Sequence, residues 1–401
     1  MKIIFRYFLV LGSVILYSSA LADKKYGPGA SDVEIKIGNT MPYSGNASAY
    51  GTIGKTEAAY FQMINERGGV NGRKLNFISL DDGYSPPRTV EQIRRLVEED
   101  QVLFIYSSLG TPPNTAIHKY MNAKQVPQLF VATGATKWGD PKNFPWTIGF
   151  QPTYHLESRI YAKYILDNNP NAKIGILYQN DDYGKDYYRG FKEGLGDKSA
   201  TMVVKEVTYE VTDATVDSQI VELKSSSADT FVNITTPKFA AQAIRKAYDI
   251  GWKPLQFLNV VSSSIAAVLK PAGVEKAVGI ISTAFMKDVV DPAWKDDAGV
   301  KDYLTFMKKY YPDADPNDYS NVYGYSSAQT LIHTLKLCGD DLTRENVMRQ
   351  AANIKDLDLP MMLPGIKINT SPTDFYLIEQ EQLMKFDGKR WVPFGGLLTG
   401  H

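Results

Sequence analysis

Only one cysteine, Cys338, occurs in 401 residues, so no intrachain disulfide can form. Its surroundings, Leu331 to Leu337, carry an apolar pattern that reads as core packing. The four histidines, His118, His155, His333 and His401, show no spacing that suggests a metal site or an activated thiol. There is no charge excess: 44 Lys and Arg balance 44 Asp and Glu, which removes the global field that would recruit nucleic acid or anionic lipid. Beyond the N-terminus no apolar run reaches the roughly 20 residues that span a bilayer. Internal repeats and low-complexity segments are absent too.

Enzyme signatures are also missing. The chain contains no Gly-x-Ser-x-Gly elbow, no His-Glu-x-x-His and no Gly-x-x-x-x-Gly-Lys-Ser/Thr loop. Asp313-Ala314-Asp315-Pro316-Asn317 begins like a calcium loop, but Asp318 stands where the turn needs glycine and Gly324 where a carboxylate belongs, so it reads as a surface loop. The pairs Asp81-Asp82 and Asp181-Asp182 sit at strand ends, where neighbours point to opposite sides, and read as solvated loop residues or caps. No catalytic residue, cofactor or metal is expected.

What is present begins with a leader. Met1 and Lys2 precede a mostly apolar stretch from Ile3 to Tyr17, interrupted by Arg6, and Ala20-Leu21-Ala22 offers the small residues that a signal peptidase accepts. Residues 1–22 are therefore expected to be a cleaved export signal, and the mature protein to be periplasmic. No cysteine stands at the cleavage point to carry a lipid.

The next 120 residues alternate short apolar strands with amphipathic helices. Val33 to Ile37, Leu75 to Leu80, Val102 to Tyr106 and Gln128 to Val131 read as strands, with helices between them. From Tyr154 the alternation restarts, with strands at 173–178, 202–207, 230–234 and 256–259. The C-terminal part reads as helices near 300–309, 326–337 and 344–354, followed by a hairpin over 375–386 that turns at Asp387-Gly388. The fold class is α/β, with two lobes that each contain a mostly parallel sheet flanked by helices. Open sheets of this kind bind ligands beyond the carboxyl ends of their strands, and two facing edges make an interlobe cleft.

One pattern recurs at those strand ends: small hydroxyl and glycine residues leading into a helix. Ser107-Ser108-Leu109-Gly110-Thr111 precedes Pro112, and Ala132-Thr133-Gly134 follows the next strand. Exposed N–H groups and hydroxyls there suit a carboxylate, and they equally suit plain helix caps. Aromatics gather in the same places: Tyr43, Tyr50, Tyr106, Phe150, Tyr154, Tyr178 and Tyr183. Tyrosine offers a flat apolar face with a polar tip, although with 25 tyrosines in the chain several are ordinary surface residues.

Several of these residues carry a family likeness. Ile37-Gly38-Asn39-Thr40-Met41-Pro42-Tyr43-Ser44-Gly45, the run Ala58-Ala59-Tyr60-Phe61 with Gly68-Gly69-Val70-Asn71-Gly72-Arg73, and Asp182-Tyr183-Gly184-Lys185 together resemble the branched-chain amino-acid binding proteins of ABC importers. The likeness covers nearly all of the mature chain and implies the type I periplasmic binding fold, in which the chain crosses between lobes three times. The lobes are expected over 32–150 plus 280–355 and over 151–279 plus 356–400. The implied function is non-enzymatic capture of a solute by closure of the two lobes, with importer permease subunits as partners, no nucleic acid, and a monomeric state.

The resemblance also implies roles for single residues. The loop at Ser107 to Thr111 and the segment Ala132-Thr133-Gly134 would hold the ligand carboxylate, and Tyr183 would close on it from the second lobe. In the amino-acid binders an acid after the strand ending near Asn259 receives the ammonium group; here Val261 stands about there. A buried ammonium without an anionic partner is costly. The expected ligand is therefore a small carboxylate without an amino group, such as a benzoate or hydroxycinnamate, with its tail among the tyrosines. Lys238, after Thr236, is a candidate for a second acidic or phenolate group or else a solvated helix start. The alternatives are a branched-chain or other amino-acid binder, and a ligand-sensing protein with a separate signalling partner.

Overall fold

The computed structural model describes residues 24–399, so the expected leader lies outside the described residues. A short strand, β1 (Lys25–Tyr26), opens the chain. The first α/β unit runs β2 (Glu34–Met41), α1 (Gly51–Glu66), β3 (Lys74–Asp81), α2 (Pro86–Arg94), β4 (Phe104–Tyr106), α3 (Thr111–Ala123), β5 (Gln128–Val131) and β6 (Thr147–Gly149). The second runs α4 (Tyr154–Asn168), β7 (Ile174–Gln179), α5 (Asp182–Leu195), α6 (Ser199–Met202), β8 (Val203–Tyr209), α7 (Asp217–Ser225), β9 (Thr230–Ile234), α8 (Pro237–Asp249) and β10 (Leu255–Leu258). After α9 (Lys270–Ala272) come β11 (Ile281–Ala284), α10 (Ala298–Tyr310), α11 (Tyr319–Cys338), β12 (Asp341–Leu342), α12 (Arg344–Ala351), β13 (Glu381–Phe386) and β14 (Trp391–Leu398).

Five parallel strands form the first sheet, in the order β3-β2-β4-β5-β6. The second sheet has the order β14-β13-β11-β10-β9-β7-β8 and is parallel from β8 to β11, with β13 and β14 added antiparallel. Strands buried on both faces need no alternation, and β4, β5 and β9 are apolar-rich and buried at every position. Burying each large apolar side chain there contributes about 1.5–3 kcal/mol.

Strand order decides where ligands bind. In the first sheet the order reverses between β2 and β4, and in the second between β7 and β9, so each pair of strands leaves a crevice at its carboxyl end.

The helices α10, α11 and α12 return to the first lobe. There α11 packs against α1 and β1 pairs with β12. Arg344 Nε and Nη2 donate to the carbonyls of Leu103 and Val102, and Arg73 pairs with Asp340 at 2.6 Å. The chain thus passes between the lobes near residue 150, after residue 284, and between 351 and 381. The expected passage at 279–280 is corrected: β11 pairs with β10 and β13, so residues 281–284 belong to the second sheet. The expected hairpin is also displaced, because 375–380 is loop and the paired strands are β13 and β14.

Candidate functional site

The two sets of strand ends face each other across a cavity with about 540 Å³ of empty space, counting its mouth. From the first lobe come Tyr50 and Ile53 after β2, Tyr84 after β3, Leu109, Gly110 and Thr111 after β4, and Ala132 after β5. The second lobe supplies Tyr183 after β7, Thr236 after β9 and Val261 after β10. Gln151 and Tyr154 come from the first passage between lobes, Phe285 from the second, and Tyr319, Ser320 and Tyr323 from the start of α11. No charged side chain is among these residues.

Local geometry explains the wall. Gly110 has φ 97°, and a Cβ there would lie 2.4 Å from the Tyr84 ring, so glycine lets that ring pack on the loop. Thr111 begins α3, and Pro112 and Pro113 that follow carry no N–H, so the free donor of this helix start is the Thr111 amide. The Thr111 and Thr133 hydroxyls are 2.6 Å apart, and Thr133 lies 3.1 Å from the Tyr154 hydroxyl. On the opposite side Asn259 Nδ2 donates to the Tyr183 hydroxyl at 2.7 Å, which leaves the Tyr183 proton free to donate. The Tyr209 hydroxyl accepts from the Thr236 amide at 2.9 Å. Burial pushes the Tyr50, Tyr84 and Tyr183 phenols well above their ordinary range, so they remain neutral donors.

Carboxylates near this region have other work. Asp181 caps α5, accepting from the Tyr183 and Gly184 amides through Oδ1 and from Gln179 through Oδ2. Burial raises Glu57 well above the carboxylate range; it lies beside Tyr106 and Ser107 inside the first lobe. Glu157, also raised by burial, accepts from Tyr161, Tyr187 and the Val260 amide. Asp82 is fully buried rather than solvated, accepting from the Thr89 hydroxyl and the Tyr84 amide.

Of the residues singled out from sequence, Tyr50, Leu109, Gly110, Thr111, Ala132, Tyr154, Tyr183, Thr236 and Val261 meet on this wall. The others do not line it. Tyr43 hydrogen-bonds Ser79, and Ser108 accepts from Thr40. Ser107, at φ 52°, turns inward toward Glu57. Thr133 and Asn259 stand behind the wall and orient Tyr154 and Tyr183. Gly134 is a packing position, because a Cβ there would come within 2.8 Å of the Tyr154 ring. Phe150 packs on Phe130 and Tyr323, Tyr106 bonds Ser327, and Tyr178 stacks on Tyr188.

Lys238 is neither a cavity residue nor a solvated helix start. Its Nζ donates to Asn46 Oδ1 at 3.0 Å, while Asn46 Nδ2 donates to the Val211 carbonyl at 2.8 Å, so the pair joins the lobes. A second clasp links Lys137 to Asp182 at 2.7 Å and the Thr136 amide to Asp186 at 2.9 Å. The lobes are closed on each other.

Sequence reasoning missed Ile53, Tyr84, Gln151, Phe285, Tyr319, Ser320 and Tyr323. The available signal was weak: Tyr319 and Tyr323 are one helical turn apart, a spacing equally suited to core packing. Among the described residues no group of three or more His, Cys, Asp or Glu is placed to hold a metal ion, and no helix is long and apolar enough to cross a membrane.

Two lobes with mostly parallel sheets, three passages between them and a cavity at their facing strand ends define a type I solute-capture protein. A family model described as periplasmic binding protein matches residues 34–388, and the chain belongs to that family. Its members bind solutes rather than transform them and work outside the cytoplasm. The chain is similar to Leu/Ile/Val-binding protein homolog 7 of Brucella abortus (strain 2308), at 21% identity over 362 residues, 86% of each chain. In fold it is similar to a branched-chain amino-acid ABC transporter structure from Thermus thermophilus with bound valine, with TM-score 0.81, 16% identity, and 92% and 97% of the two chains covered. It is likewise similar to a fatty-acid ABC transporter substrate-binding protein from Thermomonospora curvata, with TM-score 0.77, 24% identity, and 94% and 95% covered.

Proposed function

We propose that this protein is the exported binding component of an ABC importer and captures a small carboxylate without an amino group, a benzoate or hydroxycinnamate, as a monomer. The observation that carries this reading is the uncharged wall, with Val261 on it about where the amino-acid binders are expected to place an acid. A carboxylate is served by neutral donors: the Thr111 amide and hydroxyl, Tyr154 and Tyr183. An ammonium would find no anion on the wall, since no acid lines the cavity and Asp181 is turned to capping α5. Phe285, Ile53 and the tyrosine rings provide apolar surface for a ring. The fatty-acid-binding relative lends further support, because its ligand class is also an acid without an amine.

Titration calorimetry on protein stripped of ligand by unfolding and refolding tests the reading. Benzoate and coumarate are expected to bind and leucine is not. Tight leucine binding with no response to either acid refutes it.

A further inference from the structure

A second cavity, with about 570 Å³ of empty space counting its mouth, adjoins the first. Three segments contribute to both. Val261 lines the first, and Ser263 and Ile265 the second. Phe285 lines the first while its neighbours Ala284 and Met286 line the second, the alternation of an extended chain. On α11, Ser320 and Tyr323 face the first and Val322 the second. Tyr319 borders both, so at that point a single ring stands between them.

That ring is held by packing alone. Its buried hydroxyl has no hydrogen-bond partner, and its edge rests on Phe285 with centroids 6.0 Å apart. Charged groups beyond it already have hydrogen-bond partners. Lys287 Nζ donates to Asp297 Oδ2 and the Pro360 carbonyl, each at 2.7 Å. Asp291 accepts from Arg390 at 2.5 Å, and Asp288 accepts from the Val290 and Trp391 amides. What remains for a guest is the apolar surface of Ile265, Met286, Trp294, Leu363, Met384 and Trp391.

We infer that the second cavity receives the apolar tail of a longer monocarboxylate whose head group is held in the first, with Tyr319 as the partition that sets chain length. The inference rests on the carboxylate reading above. Short acids leave the ring in place; unbranched alkanoates or ω-aryl alkanoates that outgrow the first cavity displace it. The second cavity discriminates little between these tails, because its charged side chains are engaged in ion pairs or backbone hydrogen bonds and the surface they leave is largely apolar.

The experiment titrates n-alkanoates from butanoate to dodecanoate into the refolded protein, its Tyr319→Ala variant, and a Val289→Trp variant that fills the second cavity from its half-buried rim. Each methylene that finds apolar surface is expected to tighten binding roughly fourfold. In the wild type the gain should weaken where the first cavity is full, and Tyr319→Ala should restore it. Val289→Trp should remove the long-chain gain while leaving butanoate affinity unchanged. Melting temperatures of the free proteins verify folding. If short acids bind but neither variant alters the chain-length profile, the second-cavity inference is overturned and the carboxylate reading stands. If no alkanoate binds the wild type but benzoate does, the second-cavity inference alone falls; if neither binds, both fall.

Discussion

Replacing Val261 with aspartate places a carboxylate on the second-lobe wall of the cavity, across from Thr111. Val261 is half-buried and no cation lines the cavity to neutralise the new charge. Across a gap of about 6 Å, at an effective dielectric constant of about 20, repulsion between two carboxylates is about 3 kcal/mol, so an amine-free acid should bind about a hundredfold more weakly at pH 8. An amino acid meets the same repulsion but gains the missing partner: attraction at about 4 Å is roughly 4 kcal/mol, which offsets the repulsion and the desolvation of the aspartate, so leucine affinity should change little while its ratio to benzoate rises about a hundredfold. Because the apolar site raises the pKa of the new side chain, the penalty for benzoate should shrink at pH 5. Calorimetry with benzoate, coumarate and leucine at both pH values measures all three effects. Benzoate affinity within about twofold of wild type at pH 8, with no rise in the leucine-to-benzoate affinity ratio, would refute the placement of Val261 against the ligand.

Three further outcomes are expected. Glu57 is neutral in the fold because burial raises its pKa, whereas in the unfolded chain it ionises above about pH 4.3. Its stabilising contribution is therefore full in acid and lost as pH rises, so Glu57→Gln should leave the melting temperature at pH 4 nearly unchanged and raise it at pH 8. His118 behaves oppositely: stacked on Phe144 at 3.8 Å and lowered to about 4 by burial, it contributes stability above about pH 6.5 that is lost as pH falls toward 4. His118→Gln should reduce the difference in melting temperature between pH 7.5 and pH 5. Asp182→Asn removes the Lys137 clasp; with both side chains partly exposed, an ion pair of at most about 1 kcal/mol predicts no more than about a fivefold loss of ligand affinity, fading in high salt.

Much of the fold was legible because the buried strands are continuous apolar runs. Gln128–Val131 and Thr230–Ile234 lie where the residue pattern put them. Thr147–Gly149 and Ile281–Ala284 escaped notice because runs of three or four residues mixing apolar with small and hydroxyl side chains have no periodicity to read; a neighbouring strand holds them extended. The helix expected near 326–337 begins at Tyr319, where the Asp318 carboxylate caps it. Its first turns, rich in Ser, Asn and Tyr, are mostly buried, and the Asn321 side chain accepts from Thr52 and Thr56 of α1, a tertiary partnership that no local pattern announces.

The amino-acid sequence alone determined the alternation of strands and helices, and with it the loops of hydroxyl and glycine residues at strand ends. Those features are local: apolar periodicity, caps and turns act over a few residues. Tertiary structure decided which of 25 tyrosines meet. Tyr50, Tyr183 and Tyr319 come from separate elements and share one wall only because the chain passes three times between the lobes. Packing alone also turned Ser107 inward, set Lys238 against Asn46 as a clasp, and left Tyr319 as a lone ring between two cavities.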